Sequence, residues 1–208
     1  MRSIEEYESL QTERDELINQ FAEGNYDYIL ENINNLEFSE ELIQAALQLS
    51  GRIYELNDKL REISNNAIYN ILQDSILDIE KLKTWYGVIN TLVSKYLLAE
   101  TLFLAEEYES ADAILHQIPS MFQLYEREIA EHNNYLLFHY FKKHLQLAER
   151  SWSNLNDGEI YLLQTIAEAT RAGHQLWRKG FCVFSMRFVV ASPRPPPKER
   201  EMRKFPKL

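Results

Sequence analysis

The feature that most constrains the fold is the near absence of proline from the first 175 residues, where only Pro119 occurs. Proline breaks helices and interior strands, so this stretch permits long unbroken elements. Apolar residues recur at helical spacing from the start, as in Ile4, Tyr7, Leu10 and Leu17. β-Branched residues are few and alternation is short, so no strand pattern competes. We predict an all-α fold, an irregular stack of antiparallel helices joined by short turns.

Start and stop signals divide this stretch into helices. Ser3–Glu6 and Asn156–Glu159 are capping boxes, in which two side chains satisfy first-turn amides. Ser39 opens another helix, which Gly51 is predicted to end, and Gly24 is the predicted residue after the first helix. Helices are expected over about 4–23, 25–35, 39–51, 52–64, 66–73, 76–86, 90–107, 108–118, 124–149 and 157–169.

One helical hairpin looks like a tetratricopeptide unit. Ala99 and Ala111 are twelve residues apart, and small residues at that spacing let two antiparallel helices approach closely. Leu115 supplies a large residue, and Pro119 is predicted to end the second helix. No second copy follows at the repeat length. The hairpin is therefore either part of a repeat array or a repeat-like element in an irregular stack, and we favour the second.

The charge changes sign along the chain. Residues 176–208 hold nine Lys/Arg and two Glu, so they carry +7, and the other 175 residues carry −17 of the total −10. An acidic body repels phosphate, so we expect no nucleic-acid partner. One cysteine, Cys182, excludes an intrachain disulfide. The N-terminus has no apolar signal-peptide core, and no apolar run is long enough for a transmembrane helix.

Three histidines on the predicted 124–149 helix are the first candidates for a metal site. His132, His139 and His144 lack the i,i+4 spacing of a metal pair, although Glu128 and Glu131 lie near His132. The helix contains no Glu-x-x-His unit of the kind that di-iron bundles use. We interpret these histidines as surface or half-buried residues.

Glu100 is the one candidate for general-base chemistry, because it interrupts an apolar stripe and burial raises a carboxyl pKa. A carboxylate at the border of the core is the commoner explanation. The chain has none of the phosphate-binding, dinucleotide-binding, zinc-protease or nucleophile-elbow motifs. We therefore assign no catalytic, cofactor-binding or metal-binding residue, and we predict that the protein is not an enzyme.

Aromatic residues are the remaining candidates for a binding surface. The run Tyr135–Phe141 is apolar all round a helix, which predicts burial between other helices. Exposed aromatics would instead mark a partner-binding face. The candidates are Trp85, Tyr86, Phe103, Phe122, Tyr125, Tyr135, Phe138, Tyr140, Phe141, Trp152 and Tyr161.

Three segments within residues 83–175 carry a family resemblance: KTWYGVINTLVSKYLLAETLFLAEEYESADAILHQIPSMF, EHNNYLLFHYFKKHLQL and LNDGEIYLLQTIAEATRAGHQ. They resemble a helical region near the C-terminus of large secreted proteins of Bacteroidota. In that family the region follows a repetitive β-rich ectodomain and precedes a type IX secretion sorting domain. The resemblance covers residues 1–82 only loosely. It implies placement in an exported or cell-surface parent protein, with no established activity.

The segment 176–208 has three interpretations: a solvated basic tail with a polyproline stretch, a basic arm or PxxP ligand, or an out-of-frame translation. We favour the third. Permitted codons for Leu176–Ala191 read AMAKGILCFFYEICSR once a single G is restored, a continuation similar to the family's next helix. The predicted organisation is thus 1–82, a helical segment; 83–175, a helical hairpin stack; and 176–208, an irregular tail.

Two functions are compatible with these observations. The first is a non-catalytic structural or interaction module from an exported cell-surface protein, which contacts other domains of its parent or a protein partner. The second is a tetratricopeptide-like scaffold that binds a peptide or protein. A missing final helix would leave the helix over 157–169 partly uncovered.

Overall fold

A computed structural model of the protein describes residues 4–33 and 38–172. These residues form helices without strands, which confirms the predicted all-α class. The predictions for Ser3, for the end of the second helix near Asn35 and for the tail fall outside the described residues. The helices are α1 (Ile4–Glu23), α2 (Tyr26–Glu31), α3 (Glu40–Gln73), α4 (Ile79–Val88), α5 (Leu92–Leu104), α6 (Tyr108–Met121), α7 (Glu126–Leu147) and α8 (Asp157–Ala172).

The chain divides into two compact units, Met1–Ile118 and Pro119–Leu208. We call them unit 1 and unit 2. Unit 1 contains α1 to α5 and most of α6, and unit 2 contains α7, a short 3₁₀ turn at Trp152–Asn154 and α8. The sequence-based boundary between 82 and 83 lies inside α4; it follows a family resemblance rather than contacts, and stays a prediction.

In unit 1, α1 packs against α2 and α3, and α4 packs against α3 and α5. Tyr7 of α1 meets Trp85 of α4 edge to face, with ring centroids 5.7 Å apart. Leu56, Leu82 and Leu115 are fully buried. Apolar packing therefore links the first helix of the unit to α4, and burial of apolar side chains is the main stabilising term.

Helix α3 runs unbroken for 34 residues, so the predicted stop at Gly51 is wrong. Ser39 caps the helix as predicted, since its hydroxyl accepts a hydrogen bond from the Leu42 amide at 3.3 Å. Gly51 is exposed in mid-helix and nothing would contact an added Cβ. A mid-helix glycine costs only about 1 kcal/mol, and packing of Leu56 and Leu60 beyond it outweighs that cost.

In the turn between α1 and α2, Asn25 adopts the left-handed conformation (φ 50°) and Gly24 does not. Gly24 instead gives room to the Tyr26 ring, whose Cδ2 and Cζ would lie 2.8 Å from a Cβ built on the glycine. That ring packs on Phe21 at 5.7 Å. The glycine was identified correctly as special, but for close approach rather than for positive φ.

Pro119 does not end its helix, contrary to the sequence-based prediction, because α6 continues to Met121. The residue lies in the last turn of α6, where its missing N–H removes a single backbone hydrogen bond. Its fixed φ is compatible with the helix. The proline therefore marks the end of α6 only to within a few residues.

Helices α5 and α7 end in the same way, with a glutamate in the left-handed region: Glu106 at φ 62° and Glu149 at φ 51°. The Glu107 amide bonds the Leu102 carbonyl at 2.9 Å, and the Glu106 amide bonds the Phe103 carbonyl at 3.0 Å. This is the Schellman arrangement, which usually places glycine where these glutamates stand. The sequence-based ends, at 107 and about 149, lie two to three residues beyond the observed ends, and neither glutamate carries the glycine signal of this arrangement.

In the α5–α6 hairpin, the two alanines singled out in the sequence, Ala99 and Ala111, are both fully buried. Only three residues separate the helices. Phe103 and Tyr108 flank this turn with ring centroids 5.2 Å apart. The tetratricopeptide-like interpretation of this hairpin stays a prediction.

A buried lysine stabilises the preceding connection between α4 and α5, and no sequence pattern predicts it. The Lys95 ammonium donates to the Gly87 carbonyl at 3.0 Å, at the negative end of α4. Burial lowers the pKa of Lys95. Ser94 and Thr91 cap α5 reciprocally, and the Ser94 hydroxyl also donates to the Ile89 carbonyl at 2.5 Å.

Candidate functional site

The three candidate histidines of α7 have different environments. His132 and His139 are buried, at 2% and 0% exposure, whereas His144 is exposed. The interpretation of these residues as surface or half-buried is therefore wrong for His132 and His139. A helix that is apolar on most sides carries its polar residues into the interior when neighbours cover those sides, and spacing alone cannot show which sides are covered.

The two carboxylates near His132 have structural partners. Glu128 accepts a hydrogen bond from the Tyr125 amide at 2.9 Å and so caps the start of α7. Glu131, almost buried, forms an ion pair with Arg127 Nε at 3.1 Å. Over residues 4–33 and 38–172, no group of three His, Cys, Asp or Glu side chains is placed to hold a metal ion. Glu100 is half-buried, as its place in the apolar stripe predicts.

Unit 2 contains an open groove of about 430 Å³ between α7 and α8. We call it the α7–α8 groove. Helix α7 packs against α8 along it. Most of the lining is apolar, with histidine, asparagine and glutamate among the polar members. The lining residues are Leu137, Tyr140, Phe141, His144, Asn156, Gly158, Glu159 and Leu162.

The α7 side of the groove corrects the prediction that Tyr135–Phe141 is buried all round. Tyr135 and Phe141 are buried, but Leu137 and Tyr140 are 50% and 39% exposed. Leu137, Tyr140 and His144 are spaced i, i+3, i+7, which puts them on one face of the helix. That face forms one side of the groove.

The α8 side begins with the capping box predicted from the sequence. The Glu159 amide donates to Asn156 Oδ1 at 2.9 Å, and the Asn156 amide donates to Glu159 Oε2 at 2.8 Å. The Glu159 carboxylate also accepts hydrogen bonds from both terminal nitrogens of Arg150, at 2.5 and 2.9 Å. These bonds, led by that from Arg150, hold the pKa of the Glu159 carboxyl below its usual value.

A histidine and a carboxylate thus share the α7–α8 groove, but their arrangement does not suit acid–base catalysis. Both Glu159 oxygens accept hydrogen bonds from Arg150 and one also accepts from Asn156, which stabilises the charged form. A general base needs a pKa near the working pH, and the shift at Glu159 goes the opposite way. The bonds with Arg150 and Asn156 therefore fix Glu159 at the start of α8.

Aromatic side chains extend this surface beside the groove. Trp152, in the 3₁₀ turn, packs on Phe141 and Phe138 with ring centroids 5.7 and 6.2 Å away. It nonetheless keeps 53% of its surface exposed. Tyr161 and Tyr125, two further members of the aromatic set, are 71% and 74% exposed.

Helix α8 is the least covered helix of unit 2. Among its described side chains only Ile166 is buried. Ile160, Tyr161 and Leu162 are exposed in succession, at 42%, 71% and 37%. This exposure agrees with the expectation of a partly uncovered helix, and the missing final helix that was its premise stays a prediction. Consecutive exposed apolar residues on a packed helix indicate a surface that another element can cover.

No described helix is both long enough and apolar enough to cross a membrane. Comparison of the chain with protein-family models, with curated proteins and with solved structures finds no match.

Proposed function

We propose that this protein is a non-catalytic helical interaction module whose α7–α8 groove receives one further amphipathic helix. The observation that carries the proposal is the partly exposed apolar lining of the groove, formed by Leu137 and Tyr140 of α7 and Leu162 of α8. Two packed helices with a shallow apolar groove suit a third helix, whose i, i+3, i+4 and i+7 side chains fill it. In this proposal Leu137 and Tyr140 contact the incoming helix from α7.

The occupant that we favour is the helix encoded when one G is restored before Leu176, AMAKGILCFFYEICSR. It would follow α8 directly in the chain. Its apolar residues, most of them in the run ILCFFYEI, are typical of a helix that buries one broad face. Full burial of an exposed large side chain stabilises by roughly 1.5–3 kcal/mol, and Leu162, which is 37% exposed, would gain only part of that.

The test compares the present chain with a chain in which the frame is restored. We expect hydrogen exchange of the α8 amides to slow and the midpoint of urea unfolding to rise in the restored chain. Introducing Leu162→Lys should remove most of this difference, because a charge cannot be buried in the groove without a partner. The matched control is Ile76→Lys, at a residue of unit 1 that is 83% exposed. It should leave the difference in exchange and in urea midpoint between the two chains unchanged. Equal exchange of α8 in both chains would refute the proposal.

The parent that we propose is an exported cell-surface protein of Bacteroidota, with this module before a type IX sorting domain. Support comes from the resemblance over residues 83–175. The gene region tests it: an upstream frame with a signal peptide and β-rich repeats, and a downstream sorting domain, are expected. A nucleotide sequence that does not permit the shifted frame would remove the occupant named above and leave the groove without one.

A second candidate function is a tetratricopeptide-like binding scaffold. The α5–α6 hairpin, with its three-residue turn and with Ala99 and Ala111 fully buried, favours it. A scaffold of this kind would bind a peptide through unit 1, independently of whether the frame is restored. Peptide-library binding to the present chain, lost in an Ala99→Leu variant that still unfolds cooperatively, would support this second function.

A further inference from the structure

A second surface lies in unit 1, at the end where the C-terminal half of α1, all of α2 and the start of α3 come together. These three helices contact one another pairwise. We call the described residues 15–33 and 38–51 the acidic end. In the sequence, residues 15–51 contain eight Asp/Glu and no Lys or Arg. Such a long interval without a cation is unusual, since Lys and Arg make up 22 of the 208 residues.

The carboxylates of the acidic end face solvent. Arg14, the cation just before it, is engaged by Asp15 at 2.6 Å. Arg52, the cation just after it, is engaged by Glu13 at 2.6 Å and Glu55 at 3.4 Å. The surface therefore presents a negative potential to an approaching molecule. The exposed acidic residues are Asp15, Glu16, Glu23, Asp27, Glu31, Glu40 and Glu41.

Apolar side chains are exposed among these carboxylates. Tyr28, 50% exposed, meets Phe38 edge to face at 6.0 Å and leaves the rest of its ring open. Of the large apolar side chains that are exposed in unit 1, most lie at this end. They are Ile18, Tyr28, Ile33, Leu42 and Leu47, each between 36% and 50% exposed.

We propose that the acidic end docks a basic amphipathic helix of another protein. Its apolar face would cover Ile18, Tyr28 and Leu47, and its Lys or Arg residues would meet the surrounding carboxylates. Charge complementarity selects this occupant. The net charge of residues 1–118 is −15, from 23 Asp/Glu and eight Lys/Arg, which disfavours nucleic acid, an anionic membrane and a second copy of this unit.

The probe is a fluorescent synthetic peptide of leucine and lysine at amphipathic helical spacing, with a scrambled peptide of the same composition as its control. We expect fluorescence anisotropy to show binding of the amphipathic peptide to the full chain and clearly weaker binding of the scrambled one. Ile18→Ser with Leu47→Ser should weaken binding roughly tenfold, as loss of central interface contacts does. Ile76→Ser, a matched change of an 83% exposed residue elsewhere in unit 1, should leave binding unchanged.

Charge variants test the second half of the proposal. Replacing Glu23, Asp27 and Glu31 by their amides should weaken binding at low salt and flatten its salt dependence. The same number of amide changes at Glu8, Glu62 and Glu106, which are also exposed, should have less effect.

Equal binding of the scrambled peptide, or equal effects of the two variant sets, would overturn the proposal in favour of general attraction to an acidic protein. Circular dichroism of each variant ensures that only folded chains are compared. Binding at this end is independent of the α7–α8 groove, so a Leu162→Lys variant should keep it. Failure here and failure of the groove proposal are thus separate results.

Discussion

The glutamates that end α5 and α7 give a prediction whose size follows from the backbone. Glu106 and Glu149 hold positive φ angles of 62° and 51°. This conformation costs a residue with a Cβ about 1–2 kcal/mol, and glycine avoids the cost. Glycine also makes the unfolded chain more flexible, which lowers the free energy of unfolding by about 0.5–1 kcal/mol. The free energy of unfolding should therefore rise by a net of about 0.5–1 kcal/mol per site.

The matched variants are Glu106→Gly with Glu106→Ala, and Glu149→Gly with Glu149→Ala. Both substitutions at a site remove a negative charge from the negative end of a helix, a gain of about 0.3–1 kcal/mol that the pair shares. Only glycine relieves the backbone. The difference between glycine and alanine therefore isolates the conformational term from the electrostatic one.

Urea unfolding followed by circular dichroism measures these differences, with the midpoint expected to rise in the order Glu, Ala, Gly at each site. The two sites belong to different compact units, so each change should act on the unfolding of its own unit. A glycine variant no more stable than its alanine partner at both sites would show that the left-handed ends are not strained, and the reasoning would fail.

Three further predictions concern single residues. Burial raises the pKa of Tyr86 from 10.0 to about 12. The protonated Tyr86 side chain therefore stabilises the fold fully below about pH 10, and this stabilisation falls by about 3 kcal/mol as pH rises through about 12. We expect the alkaline unfolding curve of Tyr86→Phe to lack this loss. The pKa of the Glu159 carboxyl is lowered in the folded protein, so the charged carboxylate stabilises the fold above the ordinary carboxyl pKa. This stabilisation is lost as pH falls through the lowered pKa, and acid unfolding of Glu159→Gln should lack that loss. An acid unfolding midpoint that is the same in both proteins would contradict the prediction. Gly51→Ala should raise the free energy of unfolding by about 1 kcal/mol, whereas Gly24→Ala should lower it because the new Cβ meets the Tyr26 ring; urea midpoints that move in the same direction would refute this contrast.

Caps and periodicity were predictable because they depend on residues within one turn of each other. Ser39 accepts from the Leu42 amide, and the reciprocal bonds of Asn156 and Glu159 open α8, as the sequence pattern indicated. Stop signals were less reliable. Gly51 and Pro119 weaken a helix locally by amounts that distant packing can exceed, so neither ended its helix.

The candidate site depended on contacts that no local pattern contains. Leu137 and Tyr140 look as apolar as Phe141, yet they are exposed because nothing among the described residues covers that face of α7 completely. Lys95 was unremarkable in the sequence, and only the approach of the α4 end gives its ammonium a buried acceptor.

The sequence alone determined that this protein is helical and where its best-capped helices begin. It also determined that the negative charge lies in residues 1–175. These properties follow from residue spacing and composition. Tertiary structure decided which polar residues are buried, that α3 is a single helix and which apolar residues remain exposed. Burial depends on which faces meet across long sequence separations. That is why the α7–α8 groove and the acidic end emerged only from the folded chain.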